Sequence, residues 1–161
     1  MPKYRRLTHN ELQILEQDFV QFLVTNGVMA NDWELLKIEE PKKANELIDI
    51  FSDIVMEKAL SKIEFLRKND KTSIICIRFQ VDSMKIHGLV ADERSGIDFT
   101  DNNAIQKAVI NPPKGLKVIS DEQPYIKERN VDVYTFMQQG FQLDDGKFFQ
   151  VLALSQKQSL N

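Results

Sequence analysis

The chain of 161 residues has little of the residue types that most often build catalytic centres and cross-links. It contains one cysteine, Cys76, and only two histidines, His9 and His87. A single cysteine excludes a disulfide within the chain and a cysteine-rich zinc site. None of the six glycines belongs to a phosphate-binding loop or a dinucleotide fingerprint. We therefore expect no bound cofactor or metal, and the sequence favours a protein that is not an enzyme.

Long apolar runs and a strong net charge are also absent. No apolar run approaches the ~20 residues that cross a bilayer, and the charged N-terminus lacks the apolar segment of a secretory signal. The net charge is −3, and no segment has the strongly basic balance of a nucleic-acid-binding domain. We expect a cytoplasmic protein without membrane contact, for which a nucleic acid is a less expected partner than a protein.

What the chain does contain is typical of one globular domain: 42% hydrophobic and 28% charged residues. Hydrophobic periodicity divides this predicted single domain, 1–161, into three parts. Residues 1–70 are predicted to be a helical half, 71–120 a sheet half, and 121–161 a pair of helices.

In the first part, Thr8 and Glu11 form a capping-box pattern that predicts a helix over 9–26. A short helix follows near Trp33, and residues 41–67 are predicted to form one long helix. Pro41 either ends the short helix or begins the long one, since proline suits a first helical turn. The long helix has two apolar sectors that point in different directions. The first contains Leu47, Ile48, Ile50, Phe51, Ile54 and Val55, and the second Met56, Ala59, Leu60, Ile63 and Leu66. The second sector is a candidate partner or dimer surface.

The middle part predicts an antiparallel pair of strands, 73–81 and 84–92, joined by a two-residue turn. The matching register pairs Ile77 with Gly88 and Cys76 with Leu89, and leaves the face of Cys76 as the wetter one. A short strand at 96–100, a small helix that begins at Asp101 or Asn102, and a strand at 116–120 follow.

The tail allows two interpretations. The favoured one is two helices, 122–139 and 145–157, and the alternative is a β-hairpin across Asp144-Asp145-Gly146. The predicted fold class is therefore α+β. An N-terminal helical hairpin and a long third helix pack on a small, mainly antiparallel sheet, which a C-terminal helix pair closes.

Several segments together resemble a known family. They are MPKYRRLTHNEL, FVQFLVTNG, NDW, ELIDIFSDIVMEKAL and the C-terminal GFQLDDGKFF, in which Phe148 stands where the family pattern has leucine. The chain resembles an uncharacterised family of short bacterial proteins, a domain of unknown function, over nearly its whole length. The resemblance implies a cytoplasmic bacterial protein. It implies no activity, so no catalytic residue carries over.

A row of carboxylates on the long helix is the first candidate site. Glu46, Asp49, Asp53 and Glu57 step by three, four and four residues, so they share one stripe of the helix. Helical metal sites usually add a histidine three residues after a glutamate, and none occurs here. The stripe is predicted to be a solvated face, with a protein-contact face as the alternative.

The basic arm Lys3, Tyr4, Arg5 and Arg6 is the second candidate. Such a cluster could contact phosphates or an acidic protein surface, but the simpler expectation is an arm that lies across the fold and pairs with the acidic stripe. The third candidate is a small-anion surface of Arg78, Lys85 and His87 on the wetter sheet face.

The sequence thus favours a non-catalytic protein-interaction or adaptor domain, which binds a protein partner or a second copy of itself. One alternative is an RNA- or ribosome-associated protein that uses the arm and residues 71–120, where seven bases and five acids give a net +2. Another is a small-anion binder or hydrolase that uses Arg78, Lys85 and His87.

Overall fold

The computed structural model describes residues 1–159 and divides the chain into two compact units, Met1–Ser61 and the part that begins at Lys62. Across the described residues it contains seven α-helices and a five-stranded antiparallel sheet, so the predicted α+β class is confirmed. The helices of the first unit precede the sheet in the chain. Each unit is described separately below.

The first unit is helical. Its helices are α1 (His9–Ile14), α2 (Glu16–Thr25), α3 (Ala30–Glu39) and α4 (Pro41–Ser61). The capping box at Thr8 is present, since its hydroxyl accepts from the Glu11 N–H and the Glu11 carboxylate accepts from the Thr8 N–H. The helix predicted over 9–26 is interrupted at Leu15, where ψ rises to 22°. Pro41 begins α4, as its fixed φ and missing N–H allow.

The core of this unit is built around three aromatic rings. Phe19 lies 5.2 Å from Trp33 and 5.0 Å from Phe51, measured between ring centroids. Leu23 and Leu47 are buried in the same cluster. The apolar sector that was assigned to the first half of the long helix therefore faces this core only in part, because Ile50 and Ile54 are exposed.

The long helix is shorter than its pattern indicates. It ends at Ser61, not at 67, and residues 65–69 form a strand instead. The prediction of a helical half through residue 70 is wrong on this point. The second apolar sector is therefore divided: Met56, Ala59 and Leu60 lie in α4, whereas Leu66 belongs to the strand and is fully buried.

The second unit is built on the sheet. Its strands are β1 (Phe65–Asn69), β2 (Ser73–Phe79), β3 (Ser83–Val90), β4 (Lys117–Pro124) and β5 (Gln142–Leu143), in the order β4-β3-β2-β1-β5. Its helices are α5 (Asn102–Ile110), α6 (Arg129–Gln138) and α7 (Lys147–Ser159), with a 3₁₀ turn at Glu93–Ser95.

The tail forms two helices, α6 and α7, rather than the alternative hairpin across Asp144-Asp145-Gly146. The first begins later than predicted, because residues 122–124 belong to β4. The small helix capped by Asp101 is confirmed, with the Asp101 carboxylate accepting from the Asn103 N–H. The predicted strand at 96–100 is absent from the described structure. There Phe99 is buried, and its N–H donates to the Lys71 carbonyl.

The register of β2 and β3 differs from the prediction by two residues. Ile77 pairs with Ile86, and Cys76 pairs with His87 rather than with Leu89. The cause is the position of the two-residue turn, which is Val81-Asp82 rather than Asp82-Ser83, since the Gln80 N–H donates to the Ser83 carbonyl. A shift of two preserves the face of every side chain, but it changes which side chains are opposite each other.

Both faces of the sheet are covered in its centre. Ile74, Cys76 and Leu89 lie in one cluster with Phe149 and Leu152 of α7. On the opposite face, Phe79 lies 6.2 Å from Phe136 of α6, measured between ring centroids. The face predicted to be the wetter one is therefore buried around Cys76.

Candidate functional site

The N-terminal arm lies along α4 and is bound there by the acidic stripe. One carboxylate, Asp53, accepts from the Lys3 N–H at 2.9 and 2.8 Å and from the Tyr4 N–H at 3.3 Å. The Tyr4 hydroxyl donates to Glu57, and Arg6 Nε donates to Asp49 at 2.6 Å. The arm and the stripe, two separate candidates from the sequence, thus form one structure within the helical unit.

The charges of the arm are balanced by these contacts. Lys3 Nζ lies 3.7 Å from Glu57, and Arg5 is paired with Glu11 at 2.9 Å. The hydrogen bond from Arg6 lowers the pKa of Asp49. Hydrogen bonds from Arg5 and from the Thr8 backbone lower the pKa of Glu11 to about 2. Desolvation, followed by the hydrogen bond to Glu57, raises the pKa of Tyr4 to about 12.

Glu46 belongs to a different row from the other three acids. Asp49, Asp53 and Glu57 step by four and hold the arm, whereas Glu46, Ile50 and Ile54 step by four along the adjacent row. Glu46 has no hydrogen bond or ion pair within residues 1–159. Ile50 and Ile54 are 50% and 52% exposed. We name Glu46, Ile50 and Ile54 the outer row of α4.

The sheet-face candidates are brought only partly together. Arg78 and Lys85 are direct cross-strand partners, and Arg78 Nη2 lies 3.1 Å from Glu64. His87 lies on the same face but is buried under α7, with its ring 4.6 Å from the Phe149 ring. Burial and the nearby Lys85 charge lower the pKa of His87. The imidazole is therefore not an available anion-binding cation beside Arg78 and Lys85.

Cys76 and His87 are opposite each other, which the predicted register did not indicate. Nevertheless they do not form an activated pair. The His87 Nδ1 is buried and has no hydrogen-bond partner in the described structure. Burial raises the pKa of Cys76 to about 12, whereas catalytic thiols have lowered pKa values. Both side chains pack in the core, where the raised pKa of Cys76 disfavours the thiolate that would act as a nucleophile.

The second unit contains a cleft that no sequence pattern indicated. It has a volume of about 370 Å³. Residues from β1, β5, the start of α5 and the segment after α6 line it. They are Arg67, Lys68, Asn69, Asn102, Gly140, Gln142, Leu143 and Asp144. Arg67 was assigned to the end of a helix, so its position in a strand beside polar groups of the tail was not predictable from local pattern.

No group of three or more His, Cys, Asp or Glu side chains in residues 1–159 is arranged to hold a metal ion. None of the helices described combines the length and the apolar content needed to cross a membrane.

The fold defines an α+β protein. Comparison with protein families gives one match, to a family of unknown function, DUF6495, over residues 1–157. The chain belongs to this family, as the resemblance of its segments indicated. No curated protein and no solved structure is significantly similar to it.

Proposed function

We propose that this chain is a non-catalytic protein-interaction domain and that a partner docks on the outer row of α4. The observation that carries the proposal is the exposure of Ile50 and Ile54 on successive turns of one helix. Branched apolar side chains four residues apart are neighbours on a helix surface, so these two form an apolar strip. Exposed apolar strips that polar groups border are a common feature of docking sites.

The surroundings of the strip have the layout of an interface. Apolar groups at the centre and polar groups at the rim are typical of protein–protein contacts. Here Glu46 continues the outer row on one side, and the arm residues Lys3 and Tyr4 lie along the neighbouring row, fixed by Asp53 and Glu57. The arm is therefore already ordered before a partner arrives, which lowers the entropy cost of binding.

The chemistry of the surface indicates the kind of partner. Glu46 is an exposed carboxylate without an ion pair in the described structure, so it favours a basic group opposite. Ile50 and Ile54 favour apolar side chains at helical spacing. The partner we propose is a protein segment with two apolar side chains and one lysine or arginine on the same face.

A site-specific photo-crosslinker tests the proposal in cells. It is placed at position 54, with a control at Ile126, an isoleucine of the second unit that is even more exposed, at 82% against 52% for Ile54. The proposal predicts one dominant protein adduct at position 54 that is absent at position 126 and is lost in Glu46→Lys. Purified partner and chain should then bind in solution. Identical adducts at both positions, or none at position 54, would contradict it.

The alternative of RNA or ribosome association has less support. Each of the three cations of the arm has a carboxylate close by, namely Glu57, Glu11 or Asp49. These contacts reduce the positive charge that the arm presents to phosphates. The alternative stays a prediction, tested by salt-sensitive co-sedimentation with ribosomes in the wild type and in a variant with Lys3, Arg5 and Arg6 changed to alanine.

A cytoplasmic location in a bacterial cell is part of the proposal. It is supported by the segments that resemble short bacterial proteins and by the single, buried Cys76, which fits a reducing compartment. Fractionation of cells that express the chain at its native level tests it. The chain should be recovered with cytoplasmic marker proteins.

A further inference from the structure

The cleft in the second unit contains two adjacent cations, Arg67 and Lys68 of β1. Neighbouring side chains on a strand point to opposite faces, yet both residues line this cleft, which lies at an incomplete edge of the sheet. The short β5 pairs only with Leu66 and Arg67. Beyond this point no strand of the described sheet covers the outer edge of β1.

Aromatic rings hold both cations without neutralising them. The guanidinium carbon of Arg67 lies 4.6 Å from the centre of the Phe148 ring, and Arg67 Nε donates to Asn69 at 2.8 Å. Lys68 Nζ lies 6.0 Å from the centre of the Phe141 ring. Within residues 1–159 neither cation has a carboxylate at ion-pair distance, although Asp144 lines the same cleft.

This arrangement differs from that of three other arginines. Arg5, Arg6 and Arg78 each have a carboxylate within 3.1 Å. An arginine that is braced by a ring keeps its planar fork ready for a bidentate contact with an oxyanion. An adjacent lysine adds a second positive charge.

Most of the remaining lining is polar, with Leu143 as its one apolar side chain among the described residues, and the volume is small. The amide side chains of Asn69, Asn102 and Gln142 supply further donors, and Asp144 supplies an acceptor whose second role is to cap the Gly146 N–H at 3.1 Å. Ligand pockets usually have volumes of roughly 300–1,000 Å³. A cleft of about 370 Å³ lies at the lower end, which suits a small polar molecule better than an apolar one.

We infer that this cleft binds a small organic anion whose phosphate or carboxylate group is held by Arg67 and Lys68. The amides contact the remaining polar atoms of the ligand, and Asp144 accepts a hydrogen bond from a hydroxyl or ammonium group. The inference concerns a different unit from the outer row of α4 and does not depend on the function proposed for that row.

Calorimetric titration of the full chain with three probes tests the inference: inorganic phosphate, glycerol 3-phosphate and succinate. The double variant Arg67→Gln/Lys68→Gln should weaken binding of the preferred probe by at least roughly tenfold, as expected for lost hydrogen bonds to charged groups. The matched control is Arg78→Gln/Lys85→Gln, which removes two cations from the neighbouring strands. It should bind the probe as the wild type does.

A second measurement keeps the test valid if the variant is destabilised. Amide shifts in the NMR spectrum of the wild type, recorded during titration with the same probe, should change at Gly140 and Gln142 and not at Lys85. Saturable binding that is lost in the first variant only supports the inference. Equal weakening in both variants, shifts centred on Lys85, or no saturable binding of any probe overturns it.

Discussion

A single hydroxyl group, that of Ser52, links the end of the arm to α4. Ser52 Oγ accepts from the Leu7 N–H at 3.0 Å and donates to the Ile48 carbonyl at 2.7 Å. The side chain is fully buried, so water cannot replace it. This is one of the few polar contacts in the unit whose loss would leave a buried backbone donor without a partner.

We predict that Ser52→Ala lowers the free energy of unfolding by about 1–3 kcal/mol, because the Leu7 N–H loses its acceptor in a buried site. Urea denaturation measures the change. The matched control is Ser61→Ala, whose hydroxyl donates to the Lys58 carbonyl on an exposed turn. Its effect should be within about 0.5 kcal/mol of zero. Equal effects of the two variants would contradict the role given to Ser52.

Two glycines with positive φ allow a second prediction for single residues. At Gly146 (φ 81°) a Cβ atom would lie 2.5 Å from the Phe65 ring, whereas at Gly96 (φ 71°) nothing lies within 4 Å of it. Gly96→Ala should cost only the left-handed backbone conformation, about 1–2 kcal/mol. In Gly146→Ala the Phe65 ring must also move, so the melting temperature of this variant should be clearly lower than that of Gly96→Ala. A smaller effect at Gly146 would refute this packing.

Single residues also show where the sequence misleads. The alternation of apolar residues identified β2 and β3, but it could not distinguish registers that differ by two residues, since both keep every side chain on its face. The position of the two-residue turn decides, and no residue pattern distinguished Val81-Asp82 from Asp82-Ser83. As a result Cys76 was expected opposite Leu89, whereas it lies opposite His87.

Among the elements, α4 is the one that combines structure and proposed function. One row of its carboxylates binds the arm, and the outer row stays exposed. The sequence showed that the acids share a stripe, and it included an arm paired with that stripe among its expectations. It could not show that Glu46 stands apart, because this depends on where the arm lies.

The two rows of α4 can be separated experimentally. Asp53→Ala removes the acceptor of two backbone N–H groups of the arm, so trypsin should cleave after Arg5 and Arg6 several times faster than in the wild type. The free energy of unfolding should fall by about 1 kcal/mol, as for exposed charged contacts. Glu46→Ala, one row away on the same helix, should change neither. Similar cleavage rates in both variants would show that Asp53 does not hold the arm.

Strand β1 is the element that the sequence did not reveal. Residues 62–67 contain good helix formers and continue the pattern of α4 without a glycine or proline. The strand forms because its five residues pair with β2 along their whole length, and this places Leu66 in the core. Such strand pairing overrides local propensity. Because β1 was not predicted, the position of Arg67 and Lys68 beside the cleft was not predicted either.

For the molecule as a whole, most helices and their start signals were predictable, whereas strand β1 and the register of β2 and β3 were not. The capping box at Thr8 marked a helix start, and the structure selects Pro41 and Asp101 as starts from the alternatives that the sequence left open. The position of the Val81-Asp82 turn determined the register, and the pairing of β1 with β2 and β5 determined the segment after α4 and the lining of the cleft. The inferences about function also divide into those that the local sequence shows and those that need the fold. The lack of catalytic motifs was visible at once, whereas the shape of the candidate sites needed the fold.

The pH dependence of stability tests the charge contacts of the arm. The pKa values of Asp49 and Glu11 are lowered in the folded chain by Arg6 and Arg5. The stability they contribute is therefore complete above the unfolded values of roughly 4, and it is lost as the pH falls toward about 2, the folded pKa of Glu11. Urea unfolding at pH 7 and at successively lower pH should show this loss.

The double variant Arg5→Gln/Arg6→Gln is the control for that experiment. It should be less stable than the wild type at neutral pH, and the difference should shrink as the pH falls below about 4. A difference that stays constant down to pH 2.5 would show that these ion pairs contribute nothing to the folded state. A difference that grows at low pH would contradict the sign of the pKa shifts.

The claim that the outer row of α4 binds a protein is tested most directly by measuring affinity. The purified partner captured at position 54 is titrated with the wild type, with Ile50→Ser/Ile54→Ser and with the single variant Ile126→Ser. We predict that the double variant weakens binding at least roughly tenfold, since two apolar side chains lose their burial, while Ile126→Ser binds as the wild type does. Unchanged affinity in a folded double variant would contradict the account.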